Sequence, residues 1–472
     1  MKYTLLSIFL SLAAASASAD VASDARALID GADYAAAAQI IRAELQRAPK
    51  GAQSGVLNEM LGECLLEEGD YDAARDCFEA AKAKGVADAY RFLGRLAYLD
   101  YDFPQASQLY ARYRQLKNKA RKPLDVEAER EEARIADATA FLDRVEKIAV
   151  IDSLAVDYPD FYKAYRIPSS AGRLAAPSVL PFEEGKQLAS MAYVNEAGDF
   201  MMWAEPDTIG TQRIFESMKL TDGTWHAPVL TGDGLLEGDS DYPFMMPDGL
   251  TLYFANDGPE SIGGYDIFVA SRDAATGEYL QPSNLGMPYN SPYDDFMLAI
   301  DELNGVGWWA TDRNRLDGKV TVYVFAVNDL RTNYNPDEDD VVAFARLQSI
   351  ADTRGDEDYA ELLATLAAID PDEKVKKAEF YLPAGKGKVY RNLSDLPAPE
   401  AREAMKRYVD AQKKYEADEA QLRDMRRRYA GRRSKPLGEE ILAAEKALET
   451  DLGRLRRLRS DVYRALKQNT KR

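Results

Sequence analysis

Carboxylates are the side chains best supplied for chemistry in this 472-residue sequence, which holds 79 Asp and Glu but a single His. Glu205, Asp241, Asp294 and Asp295 stand near the starts or ends of segments in which apolar and polar residues alternate. Two such carboxyls facing each other across about 5 to 10 Å of open space would suit glycoside hydrolysis. The same residues also have a structural use, because Asp at short β connections accepts hydrogen bonds from the turn backbone. His226, in Asp222-Gly223-Thr224-Trp225-His226, has no second His with which to complete a zinc site or relay protons, and it reads as a loop residue. Neither a Gly-x-Ser-x-Gly elbow nor a P-loop glycine pattern occurs. Asn333 to Asp340 has the oxygen donors of a calcium loop but lacks the glycine at the sixth position. Trp203, Trp308 and Trp309 suit sugar stacking if exposed and core packing if they alternate along buried strands. On these grounds no catalytic, cofactor-binding or metal-binding residue is assigned, and no cofactor is expected.

The elements that would carry these groups are legible from Ser240 to Asp273. Pro247-Asp248-Gly249 makes a turn, Leu250, Leu252 and Phe254 alternate with Thr251, Tyr253 and Ala255, and Gly263-Gly264 turns the chain into Tyr265 to Val269. The unit reads as one β-propeller blade. Neighbouring copies run from Asp199 to Glu205 and from Gly305 to Asp312, with Ala204, Ala255 and Ala310 in matching places 51 and 55 residues apart. That period suits a four-stranded blade, and about five blades are expected. Ile148 to Val156 reads as a further strand. With the late pair Ala378 to Leu382 and Lys388 to Asn392 it is expected to complete a split blade.

Before this region the apolar period is helical. Leu61, Gly62, Leu65, Ala74, Phe78 and Ala81 surround the turn Glu68-Gly69-Asp70-Tyr71, and a second copy places Leu93, Gly94, Ala97, Ala106 and Tyr110 around Asp102-Phe103-Pro104. An earlier copy keeps Asp33-Tyr34 before Ala37 and Ile41. This is the spacing of tetratricopeptide repeats. Gly62 and Ala74 are small because two helices cross there. Three units and a capping helix near Leu124 to Lys147 make a short solenoid, whose concave face either binds a peptide or packs on its neighbour. Cys64 and Cys77, the only thiols, lie in one helix pair, and either a disulfide or two small buried side chains fits that spacing.

After Pro397-Ala398-Pro399 two stretches with 4,3 apolar spacing, through Ala404 to Tyr429 and Leu437 to Leu466, are expected to fold back as an antiparallel coiled-coil hairpin, with Asp418 as a polar break. Its tip gathers Arg426, Arg427, Arg428, Arg432 and Arg433. From Pro399 onward the chain has 21 Lys and Arg against 13 Asp and Glu, a net of +8, which leaves −27 for the rest. An acidic body argues against nucleic acid as a partner. The tip arginines are the binding residues expected to meet an anionic partner or another copy. Lys2, the apolar run Leu5 to Ala15 and Ala17-Ser18-Ala19 resemble a secretory signal peptide cleaved before Asp20, and no later run is long enough to span a bilayer.

Ser240 to Phe244, Pro247 to Asn256, Gly263 to Ile267 and Asn290 to Phe296 resemble the WD40-like, TolB-like propeller repeats of Bacteroidetes cell-envelope proteins, in which such repeats follow tetratricopeptide repeats. The resemblance implies a pairing of domains found in the peptidoglycan-tethering component of type IX secretion. That component is a lipoprotein ending in an OmpA-like domain; here no anchoring cysteine follows the apolar run, and no OmpA-like segment is recognised after Pro399. The expected organisation is a signal peptide over 1–19, a tetratricopeptide solenoid over 20–147, a WD40-like propeller over 148–396 with a helical insert over 339–370, and a hairpin over 397–472. The expected function is a non-catalytic interaction scaffold of the periplasm or outer-membrane surface, or outside the cell, linked to secretion or outer-membrane assembly. Its partners would be other envelope proteins or a second copy through the hairpin. The alternative is a carbohydrate-active propeller enzyme using a carboxylate pair.

Overall fold

Gly62 and Gly94 show how the N-terminal helices pair. A Cβ on Gly62 would lie 2.5 Å from the Phe78 ring, and one on Gly94 2.7 Å from the Tyr110 ring, so each ring packs on bare backbone. In the computed structural model, which describes residues 21–175, 191–220, 223–273, 276–328, 330–355, 357–369, 380, 382–383, 389–390, 392–431 and 434–469, these two contacts lie within a run of seven helices. They are α1 (21–30), α2 (Tyr34–Arg47), α3 (Ser54–Glu67), α4 (Tyr71–Ala83), α5 (Asp88–Leu99), α6 (Phe103–Lys119) and α7 (Val126–Leu142). Asp33, Asp70, Asp102 and Asp125 cap α2, α4, α6 and α7, each carboxylate accepting from a backbone N–H in the first turn. Cys64 is buried and Cys77 half-buried, and both are free thiols whose pKa burial pushes up. The signal-peptide residues 1–19 and the expected cleavage site lie outside the described residues.

The chain divides into two compact bodies, the first comprising residues 1–301 and 305–371 and the second the remainder. After the helices, the described residues of the first body form three antiparallel sheets. Their strands are β1 (Ala149–Asp157), β2 (Arg173–Ala175), β3 (Ala192–Val194), β4 (Phe200–Pro206), β5 (Gln212–Met218), β6 (Val229–Leu230), β7 (Ser240–Met245), β8 (Thr251–Asn256), β9 (Asp266–Ser271), β10 (Ser283–Asn284), β11 (Asp295–Asp301), β12 (Val306–Thr311) and β13 (Lys319–Ala326). Sheet I has the order β2-β3-β4-β5-β6, sheet II β10-β9-β8-β7 and sheet III β1-β13-β12-β11.

The repeat seen in sequence is a repeat of register. Ala204, Ala255 and Ala310 stand opposite Ile214, Ile267 and Val322. One residue earlier, Trp203, Phe254 and Trp309 stand opposite Phe215, Phe268 and Tyr323, an aromatic cross-strand pair in every sheet. Gly249 ends the turn before β8 at φ 68°, a conformation that costs a glycine little.

Three such sheets stand among the described residues, where about five blades are expected of the whole region. The split blade is corrected: β1 pairs with β13, from Ala149 opposite Ala326 to Asp157 opposite Lys319. The late strands β14 (Leu382–Pro383) and β15 (Val389–Tyr390) instead form a ladder of their own. The outer edge of β1 is met in part by the helical insert. Val150 N–H donates to Thr353 Oγ1 at 2.9 Å, and Arg354 Nε donates to the Val150 carbonyl at 2.8 Å. The insert supplies two short helices, α8 (Val341–Arg346) and α9 (Ala360–Ala367), and Leu366 of α9 joins the sheet core.

In the second body α10 (Pro399–Gly431) and α11 (Lys435–Asn469) pair in antiparallel fashion, Leu422 packing with Ile441 and Leu448, and Ala404 and Met405 with Val462. The polar break at Asp418 is met by Lys414, which also reaches Asp451 at 2.8 Å.

Candidate functional site

The place where β7 and β11 approach is filled by rings. Tyr242 and Phe296 stand 4.7 Å apart between centroids, and Phe161, from the 3-10 turn Tyr158–Ala164, meets them edge-on at 6.1 and 5.3 Å. Both strands carry an irregularity here, with Tyr242 at φ 53° and Met297 at φ 54°. Polar atoms at this junction are matched: the Tyr158 and Tyr242 hydroxyls bond at 2.8 Å, and Tyr165 donates to the Met297 carbonyl at 2.8 Å.

The four carboxylates singled out in sequence are engaged locally. Asp295 is wholly buried, accepting from Arg313 Nη2 at 2.6 Å and from Ser291 Oγ at 2.5 Å. Asp294 accepts from Tyr265 N–H at 2.8 Å, and Asp241 from Tyr242 N–H at 2.6 Å. Glu205 accepts from Trp203 Nε1 at 3.3 Å. Asp312, not singled out in sequence, accepts from Asp294 N–H at 2.9 Å; burial first, and then the neighbouring Asp294 charge, push its pKa up to about 7. Burial does the same to Asp266, which accepts from Ile262 and Gly263 N–H.

Other chemical candidates also have structural uses. Trp203, Trp308 and Trp309 are at most 1 % exposed and belong to the core. His226 is exposed, its Nδ1 2.7 Å from the Ala227 carbonyl. In the acidic loop, Asp339 accepts from Asn335 N–H, and Asp340 caps α8. Of the tip arginines, Arg426 and Arg428 are exposed on the last turns of α10, whereas Arg432, Arg433 and the side chain of Arg427 lie outside the described residues.

A concave region lies within the first body, along the seam between helices and sheets. Tyr98 of α5 donates to the Ile262 carbonyl, Arg130 of α7 to those of Asp257 and Gly258, Tyr293 to that of Leu99, and Arg346 to that of Asp100. The Arg315 guanidinium sits 4.5 Å above the Tyr71 ring. The helical row therefore packs on its neighbour through this end, the second of the two uses weighed for it. Between these anchors a cavity of about 200 Å³ opens beside Tyr98, Tyr110 and Arg134, abutting another of about 280 Å³ beside Tyr71, Asp294 and Asp312. Gly264 is in both walls. A Cβ there would lie 2.0 Å from Asp294 Oδ1, so the glycine serves close approach and not a positive φ. The sequence pattern points to the glycine pair but not to Arg134. The only local signal for Arg134 is its place four residues after Arg130, which puts both on one face of α7. Compared with protein-family models, curated proteins and solved structures, the chain matches none.

Proposed function

We propose that the chain is a non-catalytic protein–protein interaction scaffold of the bacterial cell envelope. In this reading α1–α7 act as a tetratricopeptide-type array, the three sheets as blades of a WD40-like propeller, and α10–α11 as a coiled-coil hairpin. The observation that carries it is the ring packing of Phe161, Tyr242 and Phe296 between β7 and β11, where a carbohydrate-active propeller would need open space flanked by two free carboxyls. Glu205, Asp241, Asp294 and Asp295 accept backbone, indole or guanidinium hydrogen bonds, as structural carboxylates do.

A periplasmic or secreted location, with association at the outer membrane, is supported by the apolar run Leu5 to Ala15 and the Ala17-Ser18-Ala19 site. No helix among the described residues is long and apolar enough to cross a membrane. The link to secretion or outer-membrane assembly rests on the resemblance in domain pairing. Within this reading the tip arginines Arg426, Arg427, Arg428, Arg432 and Arg433 bind an anionic partner, another envelope protein or a second copy. The test is affinity purification of the tagged full chain from envelope fractions at about 0.1 M salt, where surface charges still act over about 10 Å. Recovery of defined protein partners is expected. Recovery of the protein alone, together with hydrolysis of envelope glycans, would overturn the reading.

A further inference from the structure

Between the start of β5 in sheet I and the end of β8 in sheet II lies a cavity of about 470 Å³. That volume falls within the ~300–1,000 Å³ usual for small-molecule sites. Its walls are fixed by hydrogen bonds within the protein. Asn256, wholly buried, donates through Nδ2 to the Glu237 and Asp239 carbonyls at 3.0 and 3.1 Å and accepts from Gly258 N–H at 2.8 Å, which ties one loop to the other. A Cβ on Gly258 would strike the Glu237 carbonyl, so the two loops touch backbone to backbone. From sheet I, Arg213 braces the same loop: Nη1 donates to the Leu236 and Gly238 carbonyls at 2.8 and 3.1 Å, and Nε to Asp207 Oδ2 at 3.5 Å. Asn284 Nδ2 holds the Glu260 carbonyl at 3.2 Å. A cavity held in this way loses little freedom when a ligand enters.

The polar groups left over carry both signs. Arg213, Glu237, Glu260 and Gln281 line the cavity, and Arg213 Nη2, both carboxylates and the carboxamide form no hydrogen bond or ion pair among the described residues. The Arg213 charge is already met by Asp207, whereas those of Glu237 and Glu260 are not, so a purely anionic ligand would be repelled. No aromatic residue lines the cavity among the described residues, which removes the stacking surface that a sugar ring would use. A free guanidinium edge favours a carboxylate, and a free carboxylate favours an ammonium. We infer that this cavity binds a free amino acid with a basic side chain. Its two ammonium groups go to Glu237 and Glu260, its carboxylate goes to Arg213 Nη2 and the Gln281 amide, and its methylenes lie against Leu235, Leu236 and Pro259.

This site goes beyond the scaffold reading and does not depend on the identity of any protein partner. It is tested by isothermal titration calorimetry of the full chain with L-lysine, with L-norleucine, which lacks the side-chain ammonium, and with cadaverine, which lacks the carboxylate. Lysine should bind at least about tenfold tighter than either, the measure of one charge-assisted hydrogen bond, and more weakly as salt is raised. Glu237→Gln and Glu260→Gln, at exposed side chains, should together bring lysine down to the norleucine level with an unchanged melting temperature. Gln281→Ala should weaken lysine several-fold and leave cadaverine unaffected. Equal affinity for the three probes, lysine binding unaltered in the double glutamate variant, or no binding of lysine at millimolar concentration would overturn the inference. Protein partners recovered from envelope fractions by a double variant that no longer binds lysine would leave the scaffold reading standing.

Discussion

The ring of Tyr242 lies 4.7 Å from that of Phe296, each from the edge strand of a different sheet, and Phe161 closes the space beside both. The contact makes the junction of sheets II and III a packed core. Phe161 is 4 % exposed, so Phe161→Ala should leave a cavity and lower unfolding free energy by about 3 to 5 kcal/mol. Denaturant titration checks it, and a loss below about 1 kcal/mol would mean that the ring only covers a site.

Gly264→Val should lower the melting temperature, because its side chain would displace the Asp294 carboxylate from Tyr265 N–H. A cost on the order of 1 to 3 kcal/mol is expected from such overpacking. His226→Ala, at an exposed turn, should be silent in the same calorimetric comparison.

Asp312 sets a pH dependence. Burial and the neighbouring Asp294 raise its folded pKa to about 7. The folded state thus holds the proton more tightly than the unfolded chain, so the stabilising contribution is fully present below the unfolded carboxyl pKa of about 3.9 and is lost as pH rises through about 7. Asp312→Asn keeps an oxygen to accept from Asp294 N–H and removes the titration. The variant should match the parent near pH 4 and exceed it at pH 8, by up to about 4 kcal/mol. Parallel stability profiles between pH 4 and 8 would show that the carboxyl is solvated.

Replacing Arg426, Arg427, Arg428, Arg432 and Arg433 by Ser should leave the helical circular-dichroism signal intact and abolish a salt-sensitive association in sedimentation. Screening over about 10 Å at 0.1 M salt makes the salt dependence part of the prediction. Association that persists in the variant, or at high salt, would move the contact away from the tip.

What the sequence makes legible is whatever local spacing dictates. Ala204, Ala255 and Ala310 could be aligned because alternation fixes which face each strand buries, and their partners Ile214, Ile267 and Val322 follow from the register. Gly62 and Gly94 mark the helix crossings because nothing larger fits beside Phe78 and Tyr110. The pairing of β1 with β13 is not legible, since the choice between β13 and the late strands depends on contacts far apart in the chain. Tyr110, Arg134 and Gly264 come from a helical hairpin, a capping helix and a loop of sheet II, and only tertiary packing brings them to one cavity. Carboxylates drew attention by number, yet their backbone and guanidinium partners could not be seen without the fold.

The most direct test of the scaffold reading is crosslinking of the protein at its native level in intact cells, followed by mass spectrometry of the linked peptides. Reproducible crosslinks from this chain to one or a few other envelope proteins, lost when the chain is deleted, are the predicted result. Crosslinks confined to the chain itself, in cells where its loss changes envelope glycans and not envelope protein complexes, would contradict it.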